Sequence, residues 1–195
     1  MNKMTLKLKN FMLTMRDEAQ IWSQGRSWMA RLPLMIWFCY VFYRHLNSTT
    51  YGSILAPANL GIHELGHFLF SPLGEFLGIL GGTMLQLAAP VILMVNFYHQ
   101  GDFFAITLCF GWLSTNLFNV ATYVADASLM ILPLVSPFGV ENVIHDWNYL
   151  LGKMGLLQFD TAIAAMLRFE AAISMLICLV AGFWVLWQMK KNRIS

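Results

Sequence analysis

Charge disappears from the chain for long stretches. Phe103–Ala125 and residues 171–189 contain no Asp, Glu, Lys or Arg, and each exceeds the roughly 18 apolar residues that suggest a membrane-crossing helix. Residues 76–101 and 46–62 are also uncharged; the first reads as the end of one helix followed by a full span. At least four crossings result. The predicted fold is all-α, a polytopic integral membrane helical bundle of about 4–6 transmembrane segments.

Between these runs the polar residues mark boundaries. Residues 32–43 form an apolar segment framed by Arg31 and Arg44, short for a span unless both arginines snorkel. Residues 47–53 read as a polar loop, after which Asn59 can cap a helix that carries residues 63–67. Pro72 should kink or end that helix. Gly81-Gly82 reads as a turn, followed by a returning helix over 84–97 with Pro90 inside it and a loop over 98–102. In the next helix, Phe103–Ala125, the residues Asn116, Asn119, Tyr123 and Asp126 recur at spacings of three, four and three, so they share a face that should point into the bundle. Residues 127–140 are apolar but short and contain Pro133 and Pro137, a pattern of a re-entrant or broken crossing. Residues 141–160 are mixed in polarity and hold His145-Asp146-Trp147 ahead of the last helix.

Hydrophobic residues make up 58% of the 195 positions and charged ones 11%, against about 25% charged in soluble domains, so a water-soluble core is excluded. The formal net charge of +2 gives no basis for nucleic-acid binding. The positive charges gather at the two ends instead: Lys3, Lys7, Lys9, Arg16, Arg26 and Arg31 precede the first apolar run, and Lys190, Lys191 and Arg193 follow the last. The positive-inside rule then puts both termini in the cytoplasm and requires an even number of crossings, for which residues 127–140 are the candidate. Three parts follow: a basic segment over 1–31, either a helix on the membrane surface or a frayed tail; a membrane-embedded domain over 32–189; and a basic tail over 190–195. The expected location is a bacterial inner membrane, with the lipid bilayer as a partner. Cys39, Cys109 and Cys178 lie far apart in apolar segments, as small hydrophobes do, and nothing before residue 31 resembles a cleavable signal peptide.

One short sequence carries chemistry: His63-Glu64-Leu65-Gly66-His67. Residues four apart on a helix share a face, so His63 and His67 can offer two imidazole nitrogens to one Zn2+ while Glu64 sits beside them to handle a water. Bound zinc lowers the pKa of its water towards about 7, and Glu64 can take the proton and return it to a leaving amine. Five residues can match such a pattern by chance, but burying His, Glu and His in an apolar helix is costly unless they are paired or metal-bound. The motif within an apolar, polytopic chain resembles the site-2 protease family of intramembrane zinc peptidases. That resemblance implies hydrolysis of a peptide bond in a membrane protein or membrane-associated peptide. The alternative is a non-proteolytic membrane protein whose metal site serves structure, transport or sensing.

The third ligand has three candidates, Asp126, His145 and Asp146. The family takes it from an Asp in an Asn-rich stretch of a later helix, and Asn116, Asn119 and Asp126 echo that stretch without its proline or glycine. Topology favours the His145-Asp146 pair. If a helix starting at Asn59 puts His63 in its first turn, two more crossings leave Asp126 about a bilayer away, and a crossing by residues 127–140 would return His145 to the side of His63. His45 and His99 read as surface or interface histidines.

Overall fold

The computed structural model describes residues 3–132 and 144–192. Every regular element among them is helical: α1 Lys3–Trp22, α2 Leu32–Asn47, α3 Ala56–Phe70, α4 Glu75–Gln100, α5 Phe103–Ala125, α6 Asp146–Met154 and α7 Asp160–Lys191, with 3₁₀ turns at Ser71–Leu73 and Leu157–Phe159. Three described stretches, Glu75–Gln100, Phe103–Ala125 and Leu157–Lys191, are long and apolar enough to cross a membrane. Most of the stretch read as a broken crossing lies outside the described residues, and its described part, residues 127–132, is turn and irregular chain.

α5 and α7 form the centre, and hydroxyls join them. Ser114 Oγ donates to Ala171 O at 2.7 Å and Ser174 Oγ to Phe110 O at 2.8 Å. Such bonds join helices where lipid provides no hydrophobic drive for association. α2 lies parallel to α5 at a constant offset of 73 positions: Arg31 stacks over Phe104, Phe38 packs on Gly111, His45 stacks on Phe118, and Thr122 Oγ1 donates to Thr49 O. The first three α2 partners are seven residues apart, the repeat that keeps one helical face on a neighbouring helix. α2 therefore reaches α5 through side chains along its length, while its backbone packs more closely on α7, where Met35 lies against Gly182.

α3 packs antiparallel on α4 through glycines. A Cβ on Gly66 would collide with the Gly81 carbonyl, and one on Gly81 would lie 2.5 Å from Phe70 Cβ. The Gly81-Gly82 pair is thus inside α4 and not at a turn, because small residues let two backbones approach. The turn comes earlier, at the 3₁₀ segment Ser71–Leu73 and Gly74, whose φ of +105° suits glycine. Asn59 also departs from expectation. It sits inside α3, which starts at Ala56, and its Oδ1 accepts the Trp112 indole N–H at 2.7 Å. That bond ties the start of α3 to the middle of α5. From there α3 climbs towards the end of α5, where the rings of His63 and Tyr123 lie 6.4 Å apart.

The far ends of α1 and α7 meet: Asn192 Nδ2 donates to Gln20 O at 3.3 Å and to Ser23 Oγ at 2.8 Å. This contact and the rising α3 put the end of α1 and the end of α7 at one end of the bundle and residues 63–67 towards the other.

Candidate metal centre

α3 brings His63 and His67 to one face, one turn apart, with ring centroids 4.6 Å apart. Facing them is the first residue of α6. Asp146 Oδ2 lies 2.9 Å from His63 Nε2 and 3.2 Å from His67 Nε2. Among the described residues this is the group suited to an ion, with its ligand atoms all within 4.8 Å of one another. Tetrahedral zinc with bonds near 2.1 Å holds its ligand atoms about 3.4 Å apart, so the two contacts of Asp146 Oδ2, 2.9 and 3.2 Å, need to lengthen by only about half an ångström or less.

The outer nitrogens fix which way the lone pairs point. His67 Nδ1 lies 2.9 Å from Gly78 O, an atom that can only accept, so Nδ1 carries the proton. His63 Nδ1 lies 3.0 Å from Gln86 Oε1. The Gln86 amide is oriented by Asn116, whose Nδ2 donates to Gln86 O at 3.0 Å and whose Oδ1 accepts Gln86 Nε2 at 3.3 Å. In neutral His63 and His67 both Nε2 atoms are therefore lone pairs, aimed at a carboxylate. Three electron-pair donors converge, and the arrangement calls for a positive charge between them. Backbone carbonyl and amide partners on the outer nitrogens are what orient metal-bound histidines. Burial alone would raise the Asp146 carboxyl, but protons on the facing imidazoles meet the same call for positive charge, and their hydrogen bonds to Asp146 hold the group below the ordinary carboxylate range. A first-turn position in α6 adds the favourable end of the helix dipole.

Space for an ion comes from α4. A Cβ on Gly82 would lie 2.6 Å from His67 Nε2 and 2.7 Å from His63 Nε2, so the missing side chain leaves a cradle at the point of convergence. The residues fit a zinc ion in donor type, separation and room. His63 and Asp146 are buried, whereas the His67 side chain is 26% exposed, which makes its side of the centre the approach for a ligand. Glu64 is half-buried, interacts electrostatically with His67, and forms no hydrogen bond among the described residues.

The other histidines and acids lie elsewhere. Asp126 and His145 pair with each other, Oδ2 to Nε2 at 3.3 Å, beside Asp146 but outside the converging group. Asp126 is therefore at the same end of the bundle as His63 and not a bilayer away. The expected separation failed because α3 starts at mid-depth and rises to the end where α5 finishes, so no net crossing separates them. His45 is buried against Phe118 and Tyr51, and His99 is exposed in the last turn of α4, beside Tyr98. Gln86, Gly78 and Gly82 were not singled out from the sequence as site residues. Gln86 had a visible signal, an amide inside an uncharged run, where polar groups are rarely idle. Comparison with family models, with curated proteins and with solved structures returned no match.

Proposed function

We propose that the chain is a membrane-embedded zinc-dependent peptidase, similar in kind to the site-2 proteases, that hydrolyses a peptide bond of a membrane-associated protein. The observation that carries this reading is the convergence of His63 Nε2, His67 Nε2 and Asp146 Oδ2 beside the Glu64 carboxylate in the same turn of α3. His63, His67 and Asp146 would hold the ion, and zinc supplies there a polarised carbonyl and a water acidic enough to react near neutral pH. Glu64 would serve as the base that takes a proton from an attacking water and returns it to the departing amine. Gln86 and Gly78 keep the imidazoles turned inwards throughout. A site serving structure alone has no use for a Glu64 without a hydrogen bond among the described residues, and this favours catalysis over the structural, transport or sensing alternative.

The proposed topology has four crossings: α2, α4, α5 and α7. At 16 residues α2 is about 24 Å long, a shortfall that Arg31, Arg44 and local thinning of the bilayer accommodate. α3 is then a re-entrant half-helix, tolerated because its polar groups face protein. Both termini are cytoplasmic, in a bacterial inner membrane.

Glu64→Gln is the discriminating variant. Membranes carrying the unmodified chain should yield new protein N-termini that are lost with Glu64→Gln, while bound zinc stays the same. Equal sets of N-termini with equal zinc would leave the non-proteolytic alternative standing.

A further inference from the structure

Basic residues are in excess at one end of the bundle axis and acidic residues at the other. At the end where α1 meets α7, Arg26 stacks over Trp22 at 4.2 Å, Trp22 meets Phe103 edge-on, Arg31 stacks over Phe104, and Lys190 lies 5.6 Å from the Trp28 ring. Tryptophans ringed by Lys and Arg are the mark of a membrane–water interface, and an excess of Lys and Arg marks the cytoplasmic one. The opposite end carries Glu64, Glu75, Asp126, Asp146 and Asp160 against Arg44, Lys153 and Arg168, whereas at the first end Asp17, Glu18 and Asp102 are outnumbered by Lys and Arg.

The metal centre belongs to this second end. Tyr123, two residues from the end of α5, accepts the Asp146 backbone N–H at 3.1 Å, and His67 contacts Gly78 in the first turn of α4. At about 1.5 Å per residue these contacts lie within a turn of where α4 begins and α5 ends, and Gly82, against both Nε2 atoms, lies about 10 Å along α4 from that end. Only about 16 Å lower does Asn59 meet Trp112. On the far side of α3 from the histidines, Leu65, Phe68 and Leu69 are exposed, so α3 turns an apolar face to lipid and its ligand face to the protein and the interface.

We infer that the centre opens at the non-cytoplasmic surface, and that its substrate is the extracytoplasmic juxtamembrane segment of a membrane-anchored protein. This rests on the peptidase reading for the word substrate, but the placement of the centre stands or falls separately. A bond deep in the bilayer core would have to reach past α3, whereas one in the outer interfacial layer meets the exposed side of His67 directly.

The test uses single cysteines in the full chain. Ser71→Cys lies one turn beyond His67 and Gln100→Cys at the other end of α4; both parent positions are exposed. A membrane-impermeant maleimide should label Ser71→Cys in sealed right-side-out vesicles and Gln100→Cys only in inverted ones, above the background of the unsubstituted chain. The reverse pattern, labelling of both from one side, or labelling of Ser71→Cys only after detergent would each overturn the inference. Zinc content of the same samples reads the peptidase proposal independently: absent metal with the expected labelling removes that proposal and leaves the orientation.

Discussion

Gly82 leaves open the place where an ion would sit, and a methyl group there would close it. Because its Cβ would lie 2.6–2.7 Å from both Nε2 atoms, Gly82→Ala should abolish zinc binding even though alanine favours a helix by about 1 kcal/mol over glycine. Gly61→Ala, with nothing within 4 Å of its Cβ, should keep the metal. Zinc per chain in the two variants checks the contrast, and full zinc in Gly82→Ala would show that the ion lies elsewhere. Asp126 acts one step further out. Its carboxylate accepts Ile131 N and Leu132 N, each at 3.0 Å, and His145 Nε2 at 3.3 Å. His145 Nδ1 in turn accepts Asn148 N and caps α6, so both its ring nitrogens are used and neither is free for a metal. Asp126→Ala and His145→Phe should each weaken zinc affinity roughly 10–100-fold, the usual effect of losing a group that orients a ligand. His145→Asn, which keeps a capping oxygen, should lose less. Complete loss of metal in Asp126→Ala, equal to that in Asp146→Ala, would make Asp126 itself a ligand.

The α3–α4 pair sets the site, and its contact is close because Gly66 and Gly81 face each other. Gly66→Ala drives a methyl into the Gly81 carbonyl, so the helices must separate; overpacking of this kind costs about 1–3 kcal/mol. Both the detergent-solubilised thermal midpoint and the zinc content should fall, and a variant unchanged in both would contradict the packing. Trp112→Phe removes the partner of Asn59 Oδ1 and leaves a buried amide unpaired, at a cost of about 1–3 kcal/mol. The helices were legible in part: Phe103–Ala125 has the bounds that its uncharged run predicts, whereas α4 is one helix where a turn was expected and α6 was not foreseen. What could not be read was pairing between distant segments. Gly81-Gly82 looks like a turn until α3 is laid against it, Asn59 looks like a cap until Trp112 is found 53 positions away, and the parallel seating of α2 on α5 depends on an offset of 73. The histidines and the first carboxylate of α6 were all visible as candidates, but the rule that each helix crosses the membrane misjudged α3 and with it the place of Asp126.

At the scale of the whole molecule, the end of α7 meets the end of α1 while the histidines of α3 lie towards the opposite end of the bundle. The Asn192 to Ser23 bond of 2.8 Å predicts that Ser23→Cys and Asn192→Cys, introduced together, cross-link on mild oxidation, seen as a mobility shift reversed by reductant; failure to link would break the shared end and the even number of crossings with it. Everything proposed about chemistry depends on one ion at the other end. Elemental analysis of the detergent-purified chain tests it most directly. The expected result is about one zinc per chain, unchanged in Glu64→Gln, and lost in Asp146→Ala and in the double variant His63→Ala with His67→Ala. A purified, folded chain without metal, or one that keeps its zinc after Asp146→Ala, would contradict the account.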